Sequence, residues 1–88
     1  MHRLLTIILV TAALLVAAFD ASAGKDIAES QVPPTVLIPF KATHPAATEV
    51  EYEEEQKNGG LVYEIEYKLD GVKHKIEYSP GGKILKEE

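Results

Sequence analysis

From Tyr63 to Tyr78 the chain reads YEIEYKLDGVKHKIEY: nearly every second residue is large and mostly apolar, and those between are charged. A period of two marks a strand with one buried face, because successive strand side chains point to opposite sides. Asp70-Gly71 lies at the centre, and both residue types tolerate the positive φ of a two-residue hairpin turn. Folding the segment there pairs Leu69 with Val72, Tyr67 with His74, Ile65 with Ile76 and Tyr63 with Tyr78 on one face. Lys68–Lys73, Glu66–Lys75 and Glu64–Glu77 fall on the other. A slip of one residue would set apolar side chains against charged ones on every rung, so the pattern selects this register.

The same reasoning extends in both directions. Glu49 to Glu55 alternates, with Val50 and Tyr52 on one face and Glu49, Glu51, Glu53 and Glu55 on the other. Asn58-Gly59 is a second hairpin signal, and it sets Tyr52 opposite Ile65 and Val50 opposite Tyr67. Leu61–Leu69 and Val72–Ser79 are the next strands, and Lys83–Lys86 follows a Ser79-Pro-Gly-Gly82 turn as a short last one. Upstream, Thr35–His44 carries Val36, Leu37 and Phe40 at helical spacing, begins after Val32-Pro33-Pro34 and stops before Pro45. Pro39 inside it predicts a short or kinked helix. The expected fold is α+β, one N-terminal helix packed on a four-stranded antiparallel meander, since a sheet with one apolar face must bury it.

Residues 1–23 have a different character. Arg3 precedes an uncharged run from Leu4 to Phe19, and Ala21-Ser22-Ala23 follows. This is the layout of a secretory signal peptide with cleavage after Ala23, which implies a periplasmic or secreted protein. The run is shorter than the roughly 18 to 20 residues of a membrane span; the membrane becomes a partner only if the leader stays uncleaved. Residues 24–31, GKDIAESQ, are polar and without a period, and read as a flexible leader to a domain over residues 32–88. That 65-residue remainder holds eight lysines against thirteen acids, a net charge of −5. Nucleic acid is an unsuitable partner for such a surface. With no cysteine in the chain, disulfides, thiol catalysis and thiolate metal sites are all excluded.

Several stretches together resemble a known family. Val32-Pro-Pro-x(5)-Phe40-x(3)-His44-Pro45-Ala-Ala, a first strand ending in a Gly turn, Val62-Tyr-Glu-Ile-Glu66, Asp70-Gly71 and Pro80-Gly-Gly-Lys-Ile-Leu85 follow the order and spacing of PepSY-like domains. The resemblance covers about residues 32 to 88. His44 stands where that family usually has an aromatic, Pro39 interrupts its helix, and Gly81 replaces a common Asp. The resemblance implies a small exported bacterial module, related in fold to half of the beta-lactamase inhibitor protein. It brings no catalytic residues and no cofactor. It implies a non-catalytic protein-binding role, such as inhibiting or regulating a protease or another envelope or secreted protein.

Two sets of residues are candidates for binding. Tyr52, Tyr63, Tyr67 and Tyr78 share the apolar face; they are either core or, where the short helix leaves them open, anchors for a partner. Glu51, Glu53, Glu64 and Glu66 share the charged face, with Glu51–Glu66 and Glu53–Glu64 as like-charge cross-strand pairs. They are either a solvated face or a site for a cation, a small ligand or a basic protein. A flat strand face lacks the six to eight convergent oxygens of a calcium site. His44 and His74 do not make a zinc site, so no metal is expected. Pro80-Gly-Gly-Lys83 is turn chemistry and not a phosphate loop. No nucleophile–base arrangement is present, and the expectation is not an enzyme.

Overall fold

The computed structural model describes residues 24–88. The expected signal peptide, residues 1–23, lies outside the described residues. In chain order the elements are β1 (Lys25–Ile27), a 3-10 turn (Glu29–Gln31), α1 (Pro34–Thr43), β2 (Thr48–Lys57), β3 (Gly60–Leu69), β4 (Val72–Tyr78) and β5 (Ile84–Glu87). The five strands form one antiparallel sheet in sequence order.

This overturns the expected N-terminal helix on a four-stranded meander. The protein is mostly a five-stranded antiparallel sheet with one short helix, and that helix follows a strand instead of opening the domain. The segment 24–31, expected as a flexible leader, supplies that strand and the 3-10 turn. Its residues Lys25, Asp26 and Ile27 face Glu54, Glu53 and Tyr52 of β2. Three residues are too few to show a period of two. Backbone pairing holds β1 in place, and only Ile27 packs against the core.

Both hairpin turns take the conformation their residues favour. Asn58 and Gly59 have φ of 51° and 78°, and Asp70 and Gly71 have 51° and 79°. The β3–β4 register is the one read from the alternation, from Leu69↔Val72 through Tyr63↔Tyr78. Tyr52 faces Ile65 as expected. Val50 does not simply face Tyr67. Thr48 pairs with Lys68 and Glu51 with Glu66, so β2 takes three steps where β3 takes two. The extra residue is a β-bulge, and Glu49 within it has φ 49°. A bulge bends its strand and increases local twist.

Helix α1 starts on Pro33 and Pro34, where a missing N–H costs nothing. It continues through Pro39 to Thr43. His44 then caps it, its N–H donating to the Phe40 carbonyl at 2.9 Å, and Pro45 follows. Val36 and Phe40, four residues apart, lie on one face and are buried against the sheet. Ile38 points away and is 66% exposed. Pro39 has no N–H to offer the Thr35 carbonyl, and the β4–β5 turn closes over that position. The Thr35 hydroxyl donates to the Pro80 carbonyl at 2.5 Å. Gly82, at φ 92°, lies so close that a Cβ there would be 2.2 Å from the Thr35 carbonyl oxygen.

Candidate functional site

The four tyrosines are core residues. Tyr52, Tyr63, Tyr67 and Tyr78 are 9%, 8%, 5% and 1% exposed, so all four are buried. The short helix achieves this through aromatic packing. Phe40 and Tyr67 meet edge to face at 5.3 Å between centroids, and His44 meets Tyr67 the same way at 5.1 Å. His74 stacks on Tyr67 from the neighbouring strand at 5.4 Å. Burial, followed by the Glu87 charge, raises the Tyr67 hydroxyl above its ordinary range. Burial also raises Tyr78, with Tyr67 and Glu87 adding to it. A partner that used this row as its main contact would have to displace the helix.

One end of the row remains approachable. A cleft of about 340 Å³ opens between the C-terminal half of α1 and β2, lined by Phe40, His44, Pro45, Ala47, Val50 and Tyr52, with Glu29 and Lys41 at the rim. It forms because Pro45 turns the chain away from the helix and Ala47 is too small to fill the space. On the rim, Lys41 Nζ donates to Glu29 Oε2 at 2.7 Å and Tyr52 Oη donates to Glu29 Oε1 at 3.2 Å. The Lys41 hydrogen bond holds the Glu29 carboxyl below the usual carboxylate range. Burial, then the Glu29 charge, raises Tyr52. β1 pairs only with Tyr52, Glu53 and Glu54, so β2 is uncovered by β1 from Thr48 to Glu51, beside the cleft. The floor suits an apolar side chain, and the rim offers both signs of charge. Only Tyr52 among these residues was visible as a candidate in the sequence. Glu29 and Lys41 are twelve residues apart, and no pattern links them.

A hydroxyl–imidazole contact lies nearby. Thr43 Oγ1 is 2.7 Å from His44 Nδ1, but it also donates to the Pro39 carbonyl at 2.8 Å. A hydroxyl has one proton, and here it serves the helix end.

The charged face is more closely packed than a solvated strand face. Glu64 and Glu77 are 9% and 8% exposed, covered by the long side chains around them. The structure brings Glu53, Glu64 and Glu66 together, with one carboxylate oxygen from each within 4.8 Å of the others. Glu55, Glu64 and Glu77 form a second such group. Glu51 faces Glu66 across the sheet but belongs to neither. Lysines interleave with the acids. Lys57 Nζ donates to Glu77 Oε2 at 2.7 Å, Lys75 lies 3.9 Å from Glu64, and Lys73 lies 3.6 Å from Glu66. Burial raises Glu64 above the usual range, Lys75 opposes it, and Glu55 and Glu66 reinforce it. Burial also raises Glu53, helped by Glu64, Glu66, Asp26 and Glu55. The alternation places Glu55 and Glu77 on this face, but neither is among the candidate binding residues read from the sequence.

No family model, no curated protein and no solved structure matches the chain. No helix among the described residues is long and apolar enough to cross a membrane.

Proposed function

We propose that the protein is a non-catalytic, exported binding module of PepSY-like type, and that it holds an extended segment of an envelope or secreted protein at the α1–β2 cleft. The observation that carries this reading is the position of the cleft. An apolar floor of Phe40, Val50 and Tyr52 lies beside the stretch of β2 that β1 leaves uncovered. An extended segment alongside β2 would place an apolar side chain in the cleft, and strand addition of this kind draws affinity from backbone and specificity from pockets. The leader pattern in residues 1–23 and the motif order over residues 32–88 support export and family type. The partner surface is therefore this cleft at the Tyr52 end, not the tyrosine row itself.

The test fills the cleft. Ala47 is half-buried on its wall, so Ala47→Trp closes it without removing a core side chain. A protein retained from envelope extract by the parent and lost by Ala47→Trp, with Lys73→Ala unchanged, is the expected result. Equal retention by all three sinks the cleft as the contact surface.

A small-ligand or cation site on the charged face is the second reading, favoured by the carboxylate oxygens within 4.8 Å of one another. Lys57 and Lys75 occupy the same region and supply positive charge that a metal would otherwise bring. Calorimetric titration with calcium and magnesium separates the two readings, because binding of either at millimolar concentration supports the second and its absence removes it.

A further inference from the structure

The expected cleavage point and the acidic cluster meet at one residue. Gly24 lies directly before β1 and rests on the charged face. A Cβ at Gly24 would be 2.8 Å from Glu53 Oε1, 3.2 Å from the Glu54 carbonyl oxygen and 3.3 Å from Glu55 Cβ. Covalent geometry then puts the Gly24 nitrogen within about 5 Å of the Glu53 carboxylate. In an uncleaved chain that nitrogen is a neutral amide. Cleavage after Ala23 makes it an ammonium.

The surroundings suit a cation. Gly24 borders a cavity of about 360 Å³ whose other walls include Glu53, Glu55, Glu64 and Glu66. Asp26, on β1, faces Glu53 across the strand pair. The positive charges in the cavity wall are Lys57 and Lys75, against four glutamates. Lys57 is bonded to Glu77, and Lys75 reaches Glu64 only at 3.9 Å. Glu64 is largely buried, and Lys75 is its ion-pair partner. An opposite charge within about 4–6 Å favours the ionised form of both partners.

We propose that cleavage between Ala23 and Gly24 places the new α-ammonium on the Glu53 side of this acidic cluster, where it acts as a built-in cation and fastens β1 to the edge of the sheet. The bond broken is the Ala23–Gly24 peptide bond. Water supplies the hydroxyl to the Ala23 carboxyl and the hydrogen to the Gly24 amine, which takes up a further proton from solvent. Gly24 suits the position because any larger residue would need the Glu53 carboxylate to move. The proposal rests on the export reading, since an intact leader leaves no ammonium there. It gives maturation a structural consequence: the three-residue strand at the edge of the sheet, which ends beside the binding cleft, gains an ionic anchor only after processing.

The test has two stages with separate readouts. The full-length chain is expressed with its own leader, and the exported product is purified and its N-terminus sequenced. The product is then reductively methylated with isotopically labelled formaldehyde, and the α-dimethylamino signal is followed by NMR as a function of pH. The expected product begins at Gly24. Its α-amine titrates about one pH unit above the ordinary range of about 7.7–8.0. Glu53→Gln returns it toward that range, and Glu87→Gln, on the helix-bearing face, does not. A product beginning at Gly24 whose amine titrates normally, or responds equally to both substitutions, overturns the proposal and leaves export intact. A product beginning elsewhere overturns the cleavage reading and the proposal with it.

Discussion

Replacing Gly82 with alanine tests how the β4–β5 turn is held on the helix. Gly82 has φ 92°, a region that side chains strain to adopt, and the added Cβ would meet the Thr35 carbonyl oxygen at 2.2 Å and its carbon at 3.1 Å. The obstacle is backbone, so it cannot rotate away. The strained φ alone costs about 1–3 kcal/mol. Relieving the overlap lifts the turn and breaks the Thr35–Pro80 hydrogen bond, worth about 1 kcal/mol more. The total is about 2–4 kcal/mol, against about 3–10 kcal/mol of stability for a domain of this size. Gly59→Ala is the control, since Gly59 has φ 78° and nothing within 4 Å of its Cβ position. It isolates the backbone strain. Thermal melting followed by circular dichroism should lower Tm by about 10 °C or more for Gly82→Ala, and by clearly less for Gly59→Ala. If the two variants melt within about 2 °C of each other, the turn is not docked as described.

Two further outcomes are expected. Phe40 is 2% exposed and touches both Tyr67 and His44, so Phe40→Ala should lose about 3–5 kcal/mol and abolish a cooperative urea transition; a midpoint close to the parent's would show that the helix does not cover the tyrosine row. The second outcome concerns pH. Glu53 and Glu64 are raised in the folded state, so between the ordinary carboxylate value and their folded values the folded protein holds more protons, and stability present below the ordinary value is lost as pH rises through the folded ones. Glu29 and Glu88 are lowered by Lys41 and Lys86; their contribution is present above the ordinary value and is lost as pH falls through the folded one. Urea titrations across mildly acidic to neutral pH should show Glu64→Gln flattening the alkaline-side fall, and a profile identical to the parent's refutes the assignment to Glu64.

The hairpins were legible because Asp70-Gly71 and Asn58-Gly59 determine the turns, and alternation over strands of seven to ten residues selects the register next to them. β1 was not legible. Lys25-Asp-Ile27 holds one inward apolar residue, and its partner strand lies more than twenty positions away. The bulge at Glu49 has no glycine to mark it in the sequence, although its φ is positive. Helix length alone understates how far α1 covers the tyrosines. Phe40 and His44 stack at 5.0 Å, so two aromatic rings extend the reach of ten residues. The cleft was beyond sequence reading, because it depends on where β1 stops and on the Glu29 bridge between Lys41 and Tyr52. The charged face was half legible: the cross-strand acids followed from register, but the burial of Glu64 and Glu77 follows from how neighbouring side chains lie across them.

The most direct test of the cleft as the binding surface is site-specific photo-crosslinking in cells that export the protein. A photoreactive residue is placed at Ala47 on the cleft wall and, separately, at Lys73 on the opposite face. Position 47 should give a discrete adduct with one protein, and position 73 none. No adduct at 47, or the same adduct from both positions, would contradict the cleft as the binding surface.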